Sequence, residues 1–542
     1  MIKSYSKIFR KEGEVMIKTD IKLPIGYTKS DIRDALKNRL PLTDEEVREF
    51  EITRRILNVN DKKDIHYDMT AAIATSPERE RGLLNMRKKV RFHEHKELVI
   101  PASKMSARPL VVGSGPAGLF AALALAESGA RPIVIERGMT VSEREVAVNR
   151  FNTFGILDPE CNIQYGEGGA GTFSDGKLKY GSPDEYKLFI LKEFVSAGAD
   201  EDIAYSVGAH VGTDILKIIV EKIREKIISY GGEFRFCTRF DSLVLKDEKV
   251  IGATVVPKDG APYEISTDKI ILAIGHSARD TFRTLYNQGL KMTSRGFGIG
   301  MRVEHPREYI NELIYGEDYP KELGAASYHL VSHLTSGRSV YSFCMCPGGE
   351  VVAATGSVGS IVTNGMSEYN RSAENSNAAY LVSVTPDDFN SDHPLAGFDI
   401  QAKIEERAFS LTENYKAPIT RMEEFLKREV PKNLGGMTPS YKRGVEIIAP
   451  ESYLPSFVTD SLREAMYDFD AWLPGMLYPD SLMIGPETRT TSPVRIERDE
   501  RYMSSIDGLY PVGEGAGYAG GIISSARDGL VVALSIIKSG NQ

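Results

Sequence analysis

Apolar positions in this chain fall in short blocks whose spacing alternates between period two and period 3.6, which predicts strands interleaved with helices. The clearest block is Arg108–Arg137, RPLVVGSGPAGLFAALALAESGARPIVIER. Leu110–Val112 predict a buried strand, with Pro109 at its mouth where a missing N–H is tolerated. Leu119–Ala126 is apolar on every side, as suits a helix buried under a parallel sheet, and Ile133–Ile135 predict the next strand. Thr213–Tyr230 carries Ile215, Leu216, Ile219, Ile223 and Ile227 at helical spacing and ends in Gly231-Gly232, predicting an amphipathic helix against that sheet. Strands are expected at Phe234–Thr238, Leu243–Leu245, Val250–Val256 and Ile270–Ile274, with a turn at Asp259-Gly260 before the last.

The flanks add smaller units. Strands are predicted at Met16–Leu23 and Ile65–Ala72, with one helix capped by Ser30-Asp31 and another from Thr43, where Glu46 completes a capping box. Lys11-Glu12-Gly13-Glu14-Val15 is what a purine-rich ribosome-binding site would encode if translated, so Met16 is the expected natural start. The basic run around Arg87, Lys88, Lys89 and Arg91 reads as a solvated linker face or as a dock for an acidic partner or RNA. Past residue 290, short strands at Gly298–Val303, Val340–Met345 and Glu350–Ala354 alternate with helices near Ile400–Thr412 and Ser461–Phe469. The chain returns near Met483 and closes with a helix at Ile522–Ser539. The expected fold class is α/β: a Rossmann-like FAD/NAD(P)-binding domain of three ββα layers, split as 106–290 and 481–542. An α+β substrate domain is inserted at 291–480, and a small α+β domain occupies 1–105.

The turn between the first strand and helix, Gly113-Ser-Gly115-Pro116-Ala117-Gly118, has GxGxxG spacing in its proper context. Gly113 permits the tight turn, Gly115 lets backbone approach a pyrophosphate, and Gly118 lets the helix pack close to the strand. Glu136 ends the second strand, where a carboxylate accepts from a ribose and repels a 2′-phosphate, favouring FAD or NAD over NADP. Five glycines between Tyr165 and Lys177 exclude a helix or strand interior, and Gly168, Gly169, Ala170, Gly171, Thr172, Ser174, Asp175 and Lys177 are expected to face a flat or anionic ligand. Gly275 and His276 follow a strand end, in the crevice where such sheets bind ligands. Gly513-Glu514 and Gly520-Gly521-Ile522 open the last helix toward a flavin's N1 end, with Glu514 accepting from a ribityl hydroxyl. Arg137 and Phe240 complete the expected FAD lining. No second GxGxxG opens a helix after a strand, so NAD(P)H or a protein enters only as a transient electron donor.

Composition narrows the setting. Hydrophobic residues make up 42% and charged ones 26%, without an apolar run long enough to span a bilayer and without the apolar core of a signal peptide in MIKSYSKIFRKEGEV. A net charge of -8 argues against nucleic acid as the main partner, and four cysteines in 542 residues fit a reducing compartment, the cytoplasm. No metal site is expected. Arg302 and Arg489 are candidates to hold an anionic substrate, and His276 or Tyr328 to donate a proton; each also reads as an internal ion pair or core hydrogen bond. Cys344 and Cys346, two apart on a predicted strand, would face one way about 6.6 Å apart, as a redox pair or as two packed thiols.

Beyond these readings, the chain resembles the FAD-binding superfamily of the glutathione-reductase type. More closely, YGEGGAGTFSDGKL (165–178), GHSARD (275–280), YSFCMCPGG (341–349), VTNGMSEYNR (362–371), ETRTTSPVRI (487–496) and GEGAGYAGGI (513–522) resemble the bacterial uncharacterised FAD-dependent dehydrogenases. The resemblance implies FAD and a dehydrogenase activity without supplying a substrate. Three function classes follow: a flavin oxidoreductase on a small molecule, a flavoprotein working on RNA or in electron transfer with a macromolecule docked by its N-terminal domain, and a non-catalytic FAD-binding protein.

Overall fold

The computed structural model describes residues 15–47, 49–73, 77–84, 91–94, 97–178 and 184–541. Arg87, Lys88 and Lys89 lie outside them, as do residues 1–14. Among the described residues no helix is long and apolar enough to cross a membrane.

The N-terminal part is a four-stranded antiparallel sheet in the order Phe50–Asn58, His66–Ile73, Val15–Pro24, Arg91–Glu94. Ile17, Ile21 and Leu23 alternate inward onto Ile32 and Leu36 of the helix Lys29–Arg39. Two local expectations change. Thr28, not Ser30, caps that helix: its hydroxyl accepts from Asp31 N–H and the Asp31 carboxylate accepts from Thr28 N–H at 2.7 Å. Thr43 and Glu46 do form their reciprocal bonds, but these close a turn and not a helix, because the β-branched Ile52, Thr53 and Ile56 draw the chain into a strand. That strand is tied to the rest of the molecule through Arg55 N–H to Tyr205 O at 2.8 Å and Val207 N–H to Arg55 O at 2.9 Å.

A five-stranded parallel sheet runs in the order Leu509–Pro511, Ile270–Leu272, Leu110–Val112, Ile133–Ile135, Glu233–Arg235. One face, through Val111, Val134 and Ile271, packs on the helices Pro116–Glu127, Thr213–Ser229 and Ile522–Gly540. The other, through Leu110, Val112 and Leu272, packs on a three-stranded antiparallel sheet, Thr238–Lys246, Lys249–Pro257 and Tyr263–Ser266. The strand expected at Phe234–Thr238 is therefore two strands: the chain leaves the parallel sheet after Arg235, turns at Cys237 with φ +52, and re-enters in the other layer.

The remainder is organised by a seven-stranded sheet in the order Val331–His333, Ser339–Cys346, Asn375–Val384, Phe297–Pro306, Leu482–Glu487, Ala417–Arg421, Val445–Ile447, antiparallel except for the last pair. Ala396–Ser410 and Ser456–Trp472 pack against it. The Leu482–Glu487 strand belongs to this sheet, so the return to the parallel layer comes later than residue 481. It runs through Val494–Ile496, paired with the outgoing Met292–Ser294. The Ser339–Cys346 strand is bulged between Phe343 and Cys346, with Cys344 at φ +39. Cys344 is consequently exposed and Cys346 buried, and the two thiols do not face one way.

Candidate functional site

The two large sheets meet at an open cleft of about 1670 Å3, its mouth included. The glycine turn forms one end. Gly113 sits at φ +98, and a Cβ on Gly118 would stand 1.9 Å from Gly113 O, so this glycine is needed for helix-to-strand contact. Gly115 differs: its Cβ would meet nothing nearer than Gly169 Cα at 3.8 Å. Gly115 also caps the helix Pro116–Glu127 without a side-chain partner, leaving the helix's first N–H groups directed at the cleft.

Glu136 is buried at the expected place but does another task. Its Oε2 accepts from Ser114 N–H (3.0 Å) and Ser114 Oγ (2.9 Å), and its Oε1 from Gly138 N–H and Gly166 N–H (both 3.0 Å). Four protein donors fill the four lone-pair directions of the carboxylate, which stitches the turn to the second glycine loop with none left for a ribose hydroxyl. Arg137 lines the cleft with its fork filled by Glu160 and Asp280 and its plane 4.1 Å from the Tyr165 ring centroid.

The loop from Tyr165 to Lys177 is pinned by Arg144, a residue that sequence reading passed over. Fully buried on the helix Val141–Phe154, Arg144 donates to the carbonyls of Asn162, Ile163, Glu167 and Gly169 at 2.7–2.9 Å, and burial pulls its pKa down to about 10. The signal available was the capping box Thr140–Glu143, which marks that helix. Gly169, Ala170, Gly171 and Ser174 line the cleft as expected. Gly168 and Thr172 do not: a Cβ on Gly168 would run into the Thr172 hydroxyl, and both face the helix Thr213–Ser229. Asp175 and Lys177 line the cleft but are engaged. Burial alone would raise the Asp175 pKa, yet Arg371 (2.9 and 2.6 Å) holds it below the usual range, and Ser367 donates to the same carboxylate. Lys177 Nζ donates to Met345 O, and burial lowers its pKa against the pull of Asp175.

The third wall comes from the C-terminal segment. Gly513 N–H is held by Asp528 Oδ2 at 2.8 Å, and Asp528 is itself paired with Arg498. A Cβ on Gly529 would lie 2.0 Å from Ala117 O, so the helices Pro116–Glu127 and Ile522–Gly540 cross in contact and bring both N-termini to the cleft. The last helix is capped by Gly521, again without a side-chain partner. Cβ atoms on Gly275 and Gly520 would project into open space. Ile522 and Phe240 complete this lining. His276 is buried with both ring nitrogens unbonded; its Nδ1 lies 3.2 Å from Glu514 Oε1 but out of line for a hydrogen bond.

The residues expected from the seven-stranded sheet divide. Arg302 is completely buried and turned away from the cleft: its five N–H groups go to Glu487 (2.5 and 2.8 Å), Cys344 O, Asn377 and Asn364. Tyr328 packs in the core against Tyr380, hydroxyls 3.4 Å apart, and burial pushes its pKa up to about 12. Neither reaches a substrate. Arg489 does line the cleft, its Nε and Nη2 on Glu405 at 3.2 and 2.9 Å.

Two uncapped helix N-termini, glycines whose Cβ would fill the cleft, and a buried unbonded histidine fit a dinucleotide carrying a planar ring. Comparison with known proteins agrees. Residues 108–145 match a family model described as FAD binding domain, and residues 296–490 one described as FAD-dependent protein, C-terminal domain-like. Solved structures with some likeness include a flavin-dependent brominase (13% identity, 80% of this chain and 79% of that one, TM-score 0.39) and a flavoprotein/dehydrogenase from Cytophaga hutchinsonii (12%, 80% and 79%, TM-score 0.35). Likeness at that level assigns neither chemistry nor substrate. An uncharacterized protein of Clostridium beijerinckii is 42% identical over 510 residues, 92% of this chain and 94% of that protein. The chain belongs to the same family as that Clostridium protein and is a FAD-binding flavoprotein.

Proposed function

We propose that the protein is a FAD-dependent oxidoreductase acting on a small molecule, its FAD laid across a Rossmann-like ββα unit. The observation that carries this reading is the continuity of the cleft. Past the two helix N-termini it runs on between the parallel sheet and a wall of Phe343–Cys346, Asn364, Arg489 and Thr490, leaving room for a second molecule beside a ring. FAD would supply a two-electron acceptor and donor at its N5 position. The chain's own part is to bind, orient and protonate. The free N–H groups in the first turn of the Pro116–Glu127 helix, from Ala117 on, hold the pyrophosphate, and the start of the Ile522–Gly540 helix places positive charge where the ring accumulates negative charge. His276, beside Glu514 and otherwise unbonded, is the group placed to move a proton at the cleft. Support for a small-molecule substrate also comes from the N-terminal sheet. Its edge strand is bonded to Tyr205–Val207, and His210 nearby is bridged to Lys177 of the cleft wall, which makes that sheet a buttress.

Anaerobic absorbance of the holoprotein mixed in turn with NADH, NADPH and dithionite tests the reading. Bleaching by a nicotinamide makes the protein a reductase with an acceptor to be found. Bleaching by dithionite alone makes the substrate or a protein the electron donor. A flavin that no reductant bleaches contradicts the proposal.

A further inference from the structure

Glu405 sits fully buried between two arginines. Arg279 donates to both of its oxygens (Nη1 at 3.0 Å, Nη2 at 2.7 Å), Arg489 does the same (Nε at 3.2 Å, Nη2 at 2.9 Å), and Thr488 Oγ1 adds a bond at 2.7 Å. Burial alone would raise its pKa, but the two guanidiniums hold the Glu405 carboxyl down to about 2. The remaining bonds are to neutral groups: Arg279 Nη2 to Gln401 Oε1 at 3.0 Å, and Arg489 Nη2 to Ser357 Oγ at 3.4 Å. Two positive charges thus face one negative charge, an excess of +1 in a place shielded from water. An uncompensated buried charge is costly, and a structure that needed only a strut would have matched it. The deficit has a location. Arg279 Nε and Arg489 Nη1 are both buried with no partner, and of the two arginines it is Arg489 that lines the cleft. Nη1 is flanked by Gly356, where a Cβ would crowd it, at 3.1 Å from Nη1 and 3.2 Å from Gln164 Cγ, and Gln164 is also in the cleft lining.

We propose that the substrate carries a carboxylate, and that Arg489 Nη1 binds it on the wall of the cleft supplied by the seven-stranded sheet. The proposal rests on the oxidoreductase reading and names its substrate class. A carboxylate brings one negative charge, which balances the excess, whereas a phosphate group brings about 1.5 to 2 and would overshoot it. Two N–H groups remain on Nη1, and a charge-assisted bond from them gives orientation as well as affinity.

The test is titration of the oxidised holoprotein with succinate and benzoate, each against its uncharged amide, read as a saturable change in flavin absorbance. Both acids are expected to bind at least about tenfold tighter than their amides, as one charge-assisted hydrogen bond gives. Arg489→Gln should erase that preference with FAD content unchanged, and Arg489→Lys should restore part of it. If Arg489→Gln does not accumulate as holoprotein, Gly356→Ala carries the test: it leaves the Glu405 contacts in place, crowds Nη1, and should weaken the acids about tenfold and the amides little. Acids and amides alike in the wild type, no response to either acid, or an Arg489→Gln variant that loses FAD and keeps the acid preference would each overturn the proposal. Because no turnover is involved, a normal acid preference in a flavin that no donor reduces would sink the oxidoreductase reading while leaving Arg489 as a carboxylate site.

Discussion

Arg302 and Arg489 are the same residue type in nearly the same setting: each is buried beside the central strands of the seven-stranded sheet, and each lays its guanidinium against a glutamate. The five donors of Arg302 meet five acceptor oxygens on four residues, and among the described residues Glu487 pairs with no other arginine. Glu405 is shared between Arg489 and Arg279, and each of these keeps one nitrogen unbonded, that of Arg489 on a residue that lines the cleft. The pairs teach that burial and an ion pair do not separate a strut from a binding group. The count of donors against acceptors, taken with the place of the unfilled donor on a cleft-lining residue, does.

The largest effect is expected where that count is closed. Arg302→Met strands the Glu487 carboxylate and should cost about 3–5 kcal/mol in denaturant unfolding, while the double variant Arg302→Met with Glu487→Leu should recover most of it. A double variant as unstable as the single would show that Arg302 contributes more than its pairing.

A buried group without any counter-charge gives the next effect. His305 lies in the seven-stranded sheet, where among the described residues it bonds to Met476 O alone, at 3.1 Å, and burial lowers its pKa from 6.5 to about 4. The folded state resists the proton that the unfolded state accepts, so its stabilising contribution is complete above pH 6.5 and is lost as pH falls toward 4. The loss is on the order of 3 kcal/mol. Unfolding free energy measured from pH 7 to 4 should fall, and His305→Gln should flatten that fall; an equal slope in the variant contradicts the assignment.

Gly118→Ala should be destabilised by about 1–3 kcal/mol in thermal unfolding, since its Cβ would press on Gly113 O. The smallest effect concerns the cysteines. Alkylation of the native protein should modify exposed Cys344 and spare Cys346, whose thiol burial pushes up to about 12, and Cys344→Ser should leave stability within about 0.5 kcal/mol. A disulfide between the two would contradict the bulged strand.

Legibility followed the range of the signal. Leu110–Val112, the Pro116–Glu127 helix and the Thr213–Ser229 helix were readable because glycine spacing and apolar periodicity are local. The strand Asn375–Val384 was not: AENSNAAYLVSV has no alternation, since the strand is central and buried on both faces. Among site residues, backbone glycines were found because their chemistry is conformational. Glu136 was found in place but misjudged in role, because its four donors come from three separate segments. Arg144, Asp528 and the Glu405 cluster were invisible for the same reason: each acts across sequence separations that no spacing encodes.

The most direct test of the cleft as the FAD site is the dissociation constant of Gly115→Ala, measured alongside its apo-protein melting temperature. The protein itself tolerates that Cβ, whose nearest atom would be 3.8 Å away, so melting should match wild type. A loss of FAD affinity of about tenfold or more is expected, because the methyl group stands where the pyrophosphate must approach. Wild-type FAD affinity in Gly115→Ala would contradict the account and place the cofactor elsewhere.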